Sequence, residues 1–217
     1  MAKKEVVEIR PPDIRTIEVV IEGTAPYVQN KFSAKARQMM RDKQEAGSTT
    51  NVTRKAREAK DFDECYQQAK HIARDPDGTE WCGIPAPSFR KALISACRTI
   101  GFTMTLAKLA VFCEADGFDY DDGTPLVRIT RGEPFKHEAL VRNDSGVADI
   151  RARPMWNPGW RATLRLNYDA DIMTQANIVN LLARAGMQVG IGEGRPDSKD
   201  SAGMGWGTFR ILSDKDA

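Results

Sequence analysis

The chain has 217 residues, of which 41% are hydrophobic and 29% charged, and its 32 basic and 30 acidic residues leave a formal net charge of +2. A chain of this length can bury one proper core, and nothing in it argues for two independent units. Near-neutral bulk charge excludes attraction to nucleic acid by the surface as a whole, so any such attraction has to come from local clusters of basic residues.

Two such clusters exist. Lys31 to Lys60 holds nine basic residues against three acidic ones, and Arg128 to Arg165 holds eight against four, with the acidic run Glu114 to Asp122 between them. Solvated faces give the same pattern, so neither cluster alone identifies a ligand. Cys65, Cys82, Cys97 and Cys113 are spaced 15 to 17 residues apart with no CxxC pair and no histidines at zinc-finger spacing. They read as reduced thiols, with Cys97 on a core face, and no metal or cofactor is expected. MAKKEVVEIR has no apolar signal region and no run approaches 18 apolar residues, so a soluble, cytoplasmic protein is expected.

In chain order, Arg15 to Gly23 alternates Ile17, Val19 and Ile21 with polar residues and predicts a strand. A turn at Ala25-Pro26 then leads to a helix from about Ser33, a capping residue followed by good helix formers. Residues 42–80 read as an insertion, helical from Ala56 to Ala73 and mobile from Gly47 to Thr53. Ser88 is the expected cap of a core helix in which Phe89, Ala92, Leu93, Ala96, Cys97 and Ile100 share a face and Gly101 ends the run. Arg90 and Lys91 sit in its first turn, where cations oppose the helix dipole; a bound anion would account for them, and so would simple solvation.

Leu106 to Phe112 predicts a strand, and residues 126–158 read as an arginine-rich β-ribbon broken by RGEP and RNDSG turns. Trp160 to Tyr168 alternates Ala162, Leu164 and Leu166 with polar residues, as a half-buried strand does. Thr174 is the expected cap of a second core helix carrying Ile178, Val179, Leu181, Leu182 and Ala185, closed by Gly186. Next comes a loop with Gly190, Gly192, Gly194, Gly203, Gly205 and Gly207 around Arg195, and then a last strand from Gly207 to Leu212. Such glycine density suits unusual dihedrals, a close approach, or a cradle of N–H groups for phosphate. A long flexible hairpin loop is the alternative.

The order of elements fits an α+β, ferredoxin-like (RRM-like) βαββαβ core, as one domain over residues 1–217 with the two insertions. GIPAPSFRKALISACR (Gly83 to Arg98), GIGEGRPDSKDSAGMGWGTFRI and the ribbon ALVRNDSGVADIRARPMW followed by WRATLRLNYDA resemble, in this order, the RAMP superfamily and its backbone subunits of CRISPR effector complexes. The VGIGEGRP ending also resembles that of phage-borne proteins. The resemblance implies binding to the backbone of single-stranded nucleic acid, RNA ahead of DNA, without catalysis. It also implies a head-to-tail homo-oligomeric filament, within a larger ribonucleoprotein or alone.

On that basis Lys31, Ser88, Arg90, Lys91 and Arg195 would meet phosphate, with N–H groups from Gly190, Gly192, Gly203 and Gly205. Arg142, Arg151 and Arg153 would meet the next stretch of strand or a neighbouring subunit. Such contacts position a strand without reading its sequence. Two rival functions stand beside this one. A RAMP-type ribonuclease would need a histidine, and His71 and His137 are the two present; Asp149 is a cleavage candidate by analogy and an ion-pair partner of Arg151 or Arg153 otherwise. A small-nucleotide binder of phage or defence type would use the glycine loop as a cradle, although GxxxxGK[ST] is absent.

Overall fold

The alternation of Ile17, Val19 and Ile21 produces the expected strand, β1 (Ile14–Gly23), buried at Val19 and Ile21. The computed structural model describes residues 9–45, 47, 60–142, 148–199 and 203–213. After the Ala25-Pro26 turn, the short β2 (Tyr27–Val28) leads to α1 (Ala34–Glu45), where Ser33 Oγ accepts from Ala36 N–H at 3.1 Å. Of the stretch expected to be mobile, Gly47 to Thr53, all but Gly47 lies outside the described residues.

The helix expected up to Ala73 is shorter. Its described part, α2 (Phe62–Gln68), is capped by Asp61, and β3 (Ile72–Arg74) then pairs with β4 (Glu80–Pro85) across the DPDG turn. Residues that read as helix by propensity are taken by a neighbouring strand instead. The next helix, α3 (Ala86–Ala96), starts at Ala86, so Ser88 lies inside it and does not cap it. Pro87 is tolerated in that first turn because an N–H there has no intrahelical acceptor. A 3-10 turn over Cys97–Ile100 follows, and its tighter winding leaves Ile100 45% exposed where a regular helix would have buried it.

Leu106 to Phe112 is mostly helix rather than strand. Ala107 and Ala110 are buried within α4 (Met104–Ala110), and only the last residues become β5 (Val111–Cys113). The buried pair spaced at i, i+3 and a run of good helix formers outweigh the apolar content that suggested a strand. Then follow β6 (Gly117–Phe118), β7 (Pro125–Arg131), β8 (Phe135–Arg142), β9 (Ala148–Trp156) and β10 (Arg161–Asp169). In α5 (Gln175–Arg184) Thr174 Oγ1 caps Asn177 N–H at 3.2 Å. The helix does not close at Gly186; a π turn over Ala185–Val189 continues to Gly190, and β11 (Phe209–Ile211) ends the fold.

The protein is thus α+β with two sheets. The large sheet runs β11-β1-β10-β7-β4-β3, with β5 sharing an edge of β10 and β6 pairing with β7. Every pairing is antiparallel, and the register sets Ile17, Val19 and Ile21 opposite Leu166, Leu164 and Ala162. These residues join Phe89 and Leu93 of α3 and Ile178 and Leu182 of α5 in one core. The strands read as a single ribbon divide: β7 enters the large sheet, whereas β8 and β9 form a hairpin to which β2 adds a third strand. Tyr27 packs on Trp156 and Trp160 at centroid distances of 5.3 and 5.6 Å and so joins the two sheets.

Candidate functional site

Glycines dominate the loop after α5 because it folds on itself and on β2. Ile191 N–H donates to Gly207 O at 3.0 Å, Gly207 N–H to Pro26 O at 2.7 Å, and Glu193 N–H to Val28 O at 3.0 Å. A Cβ at Gly207 would fall 1.7 Å from Ile191 O, and one at Gly192 would fall 2.5 Å from Val28 O. Both positions also have φ near +70°, where only glycine is at ease. The close approach expected from the sequence is therefore to the protein's own backbone. Among the described residues, the N–H groups of Gly192 and Gly194 donate to no other residue.

Opposite the loop lies one polar face of α3. Ser88, Lys91, Ser95 and Arg98 recur at i, i+3, i+7 and i+10, which aligns them along a single stripe. Stripe and loop, with Lys108 of α4, enclose a cleft of about 510 Å³. A second cleft of about 360 Å³ shares Ser88, Gly192 and Arg195 with the first and runs on past His71 to Asn30. A third of about 360 Å³ starts at Asn30 and ends at Arg151 and Arg153 on β9. The three clefts thus adjoin, the first two at Ser88, Gly192 and Arg195 and the second and third at Asn30, and together they are termed the groove.

Its charges differ in availability. Lys91, Lys108 and Lys199 are exposed and make no ion pair among the described residues. Arg195 donates to Gly192 O at 3.1 Å. Arg98 Nη2 donates to both oxygens of Asp197 at 2.6 and 2.7 Å, and Ser95 Oγ donates to the same carboxylate. The Ser95 hydrogen bond, followed by that of Arg98, holds the Asp197 carboxyl below its ordinary value. At the far end, Arg153 Nε meets Glu193 at 3.2 Å and Arg151 approaches it at 3.8 Å.

Of the residues singled out from the sequence, Ser88, Lys91, Gly190, Gly192, Arg195, Arg151 and Arg153 line this groove. Lys31 also lines it, but its ammonium is buried on Asp119 at 2.6 Å and Asp121 at 3.1 Å. Arg90 turns away: its guanidinium donates to the carbonyls of Val111 and Lys108 and lies over the Phe112 ring. Gly203 packs against the carbonyl of Arg195 and Gly205 faces open space, neither of them lining the groove. The side chain of Arg142 lies outside the described residues. Asp149 pairs with Lys60 at 2.5 Å and, more distantly, with Arg151.

Sequence reasoning missed Arg98, Lys108, Lys199 and Asn30, and it named His71 only as a candidate for the ribonuclease reading, without placing it here. Extending the helical spacing from Lys91 would have found Arg98; the others are brought in by tertiary folding alone. His71 donates its backbone N–H to Gln29 Oε1 at 2.8 Å, and its Nδ1 meets the fully buried Asp119 at 2.9 Å. Burial pushes the His71 imidazole below its ordinary pKa, against the pull of Asp119. Burial would raise the Asp119 carboxyl, but hydrogen bonds from Lys31, Asp121 N–H and His71 bring it below its ordinary value. His71, Asp119 and Asp122 present ligand-type atoms within 4.8 Å of one another. Lys31 Nζ already supplies the positive charge a metal would bring there.

No protein-family model matches the sequence, and no curated protein matches it. Among the described residues no helix is long and apolar enough to cross a membrane.

Proposed function

We propose that the protein binds the sugar-phosphate backbone of a single strand, RNA ahead of DNA, along the groove between α3, the glycine loop and the β8–β9 hairpin. The observation that carries this reading is the succession of three adjoining clefts from Lys91, Lys108 and Lys199, which make no ion pair among the described residues, to Arg151 and Arg153. Lysines at one end and arginines at the other favour phosphate contacts, which position a strand without reading its sequence. A ferredoxin-like core is supported by the strand order β11-β1-β10-β5, with α3 ahead of β5 and α5 linking β10 to β11. In this reading copies assemble head to tail along the strand, and the exposed Leu106, Leu109 and Phe112 offer an apolar surface for the neighbour.

The test is fluorescence anisotropy of a labelled mixed-sequence strand across a salt series. Replacing Lys91, Lys108 and Lys199 together by alanine is expected to weaken binding equally for all sequences. It should also flatten the log K against log salt slope by about two, at roughly 0.7 per single-strand phosphate contact. An unchanged slope would rule out the groove.

A second reading is favoured by the His71–Asp119 pair beside Arg195. If Asp119 accepts from Nδ1–H, Nε2 is left to take a proton from a ribose 2′-hydroxyl. The 2′-oxygen would then attack the adjacent phosphorus and the 5′-oxygen would leave, protonated by water. This reading requires cleavage of RNA that stops at a single 2′-deoxy substitution and disappears in His71→Ala; RNA that stays intact under all conditions excludes it.

A further inference from the structure

Among the described residues the groove contains two carboxylates where a phosphate binder would gain by having none. Both come from the glycine loop, four residues apart, and each holds arginine from an opposite wall. Asp197 takes Arg98 and Ser95 of the α3 side, while Glu193 takes Arg153, with Arg151 near by, of the β9 side. We propose that Glu193 and Asp197 are internal stand-ins for phosphate: they fasten the loop to both walls of the groove and yield their arginines when a polyanion enters. This inference rests on the groove being an anion site.

The physical argument is one of competition. Asp197 and Arg98 are one-third and one-half exposed, and an ion pair exposed to that degree is weak, so releasing it costs little. The Glu193–Arg153 pair is about one-quarter and one-fifth exposed and is held more firmly. A single phosphate free in solution must still compete with a tethered carboxylate, whose effective concentration is of millimolar order. A strand already held by Lys91, Lys108 and Lys199 presents its next phosphates at a comparable effective concentration, and it gains a charge-assisted contact with each arginine. The two carboxylates therefore set a length threshold. Short phosphates leave the loop fastened; long ones release it.

The experiment compares wild type with Asp197→Asn, Glu193→Gln and the double variant, which keep side-chain shape while removing charge. Binding of inorganic pyrophosphate, long-chain inorganic polyphosphate and single-stranded RNA is measured, together with amide hydrogen exchange of residues 189–199. The expected result is polyphosphate affinity rising about three- to five-fold in each single variant and roughly ten-fold or more in the double. Exchange in 189–199 should quicken in the ligand-free variants, and pyrophosphate should bind the double variant but not the wild type.

Polyphosphate affinity that is unchanged or weaker in the variants overturns the proposal, since it would make the carboxylates plain anchors that preorganise the site. If polyphosphate binds the variants more tightly but no variant binds RNA, the stand-in role holds and the nucleic-acid reading falls. If no polyanion binds any form, both fall.

Discussion

One end of the groove and its middle carry similar residues and use them in opposite ways. At the α3 end, Lys91, Lys108 and Lys199 stand exposed, and among the described residues the one carboxylate lining the cleft is Asp197. Toward the middle, Lys31, His71 and Asp119 form a buried network in which Asp119 also accepts from the N–H of Asp121, and Arg37 covers Asp121 and Asp122. Basic residues that look alike in a sequence thus divide into charge spent on the fold and charge left for a ligand. Burial separates the two classes: a desolvated cation must be paired, whereas an exposed one need not be.

The sharpest way to break this comparison is to remove a charge from each class. Asp119→Ala leaves the buried His71 without its carboxylate and the buried Lys31 with Asp121 alone, and is expected to destabilise the fold by about 3 kcal/mol in denaturant unfolding. A loss below 1 kcal/mol would mean that the network is not structural. Next in size is the contrast between neighbours on α3. Arg90→Ala strands the carbonyls of Val111 and Lys108 and should cost roughly 1 to 3 kcal/mol of stability with strand affinity unchanged in the folded protein. Lys91→Ala should do the reverse, shifting stability by less than about 0.5 kcal/mol while weakening strand binding. Equal effects of the two on binding would erase the distinction between the faces of α3.

The smallest effect expected is one of pH. The folded-state pKa of His71 lies below its unfolded value of 6.5, so the unfolded chain binds that proton first. The contribution of neutral His71 is therefore complete above 6.5 and lost as pH falls below it, and that of Asp119 is lost at still lower pH because its pKa is also depressed. His71→Asn should flatten the first part of this acid loss in thermal unfolding followed against pH; an unaltered profile would assign it to other groups.

Much of the scaffold could be read from periodicity. β1, β10 and α5 bury their apolar faces as the alternating and helical spacings require, since burial of one face is what selects those spacings. The errors fall where two signals compete. Leu106 to Ala110 is apolar enough for a strand, but only its i, i+3 alanines are buried, so the helix wins. Arg90 and Lys91 look equivalent in the chain, yet the 100° step of a helix sends one into the carbonyls of α4 and β5 and the other into the groove. The glycine loop was legible as a centre of the structure, but its glycines answer mainly to the backbones of Val28 and Ile191. Asn30 and Lys199 had no local signal, and His71 could be named as a histidine but not placed, because only the long-range register of the sheets and loop brings them together.

The central claim is tested most directly by photo-crosslinking a single strand carrying a reactive base analogue at each position in turn, with the sites located by mass spectrometry. The expected result is crosslinks confined to the polar stripe of α3, the loop from Gly190 to Lys199, Asn30 and the hairpin face bearing Arg151 and Arg153, advancing from one end to the other as the analogue moves along the strand. Crosslinks concentrated on α1 or on the surface of α4, with the groove residues silent, would contradict the account.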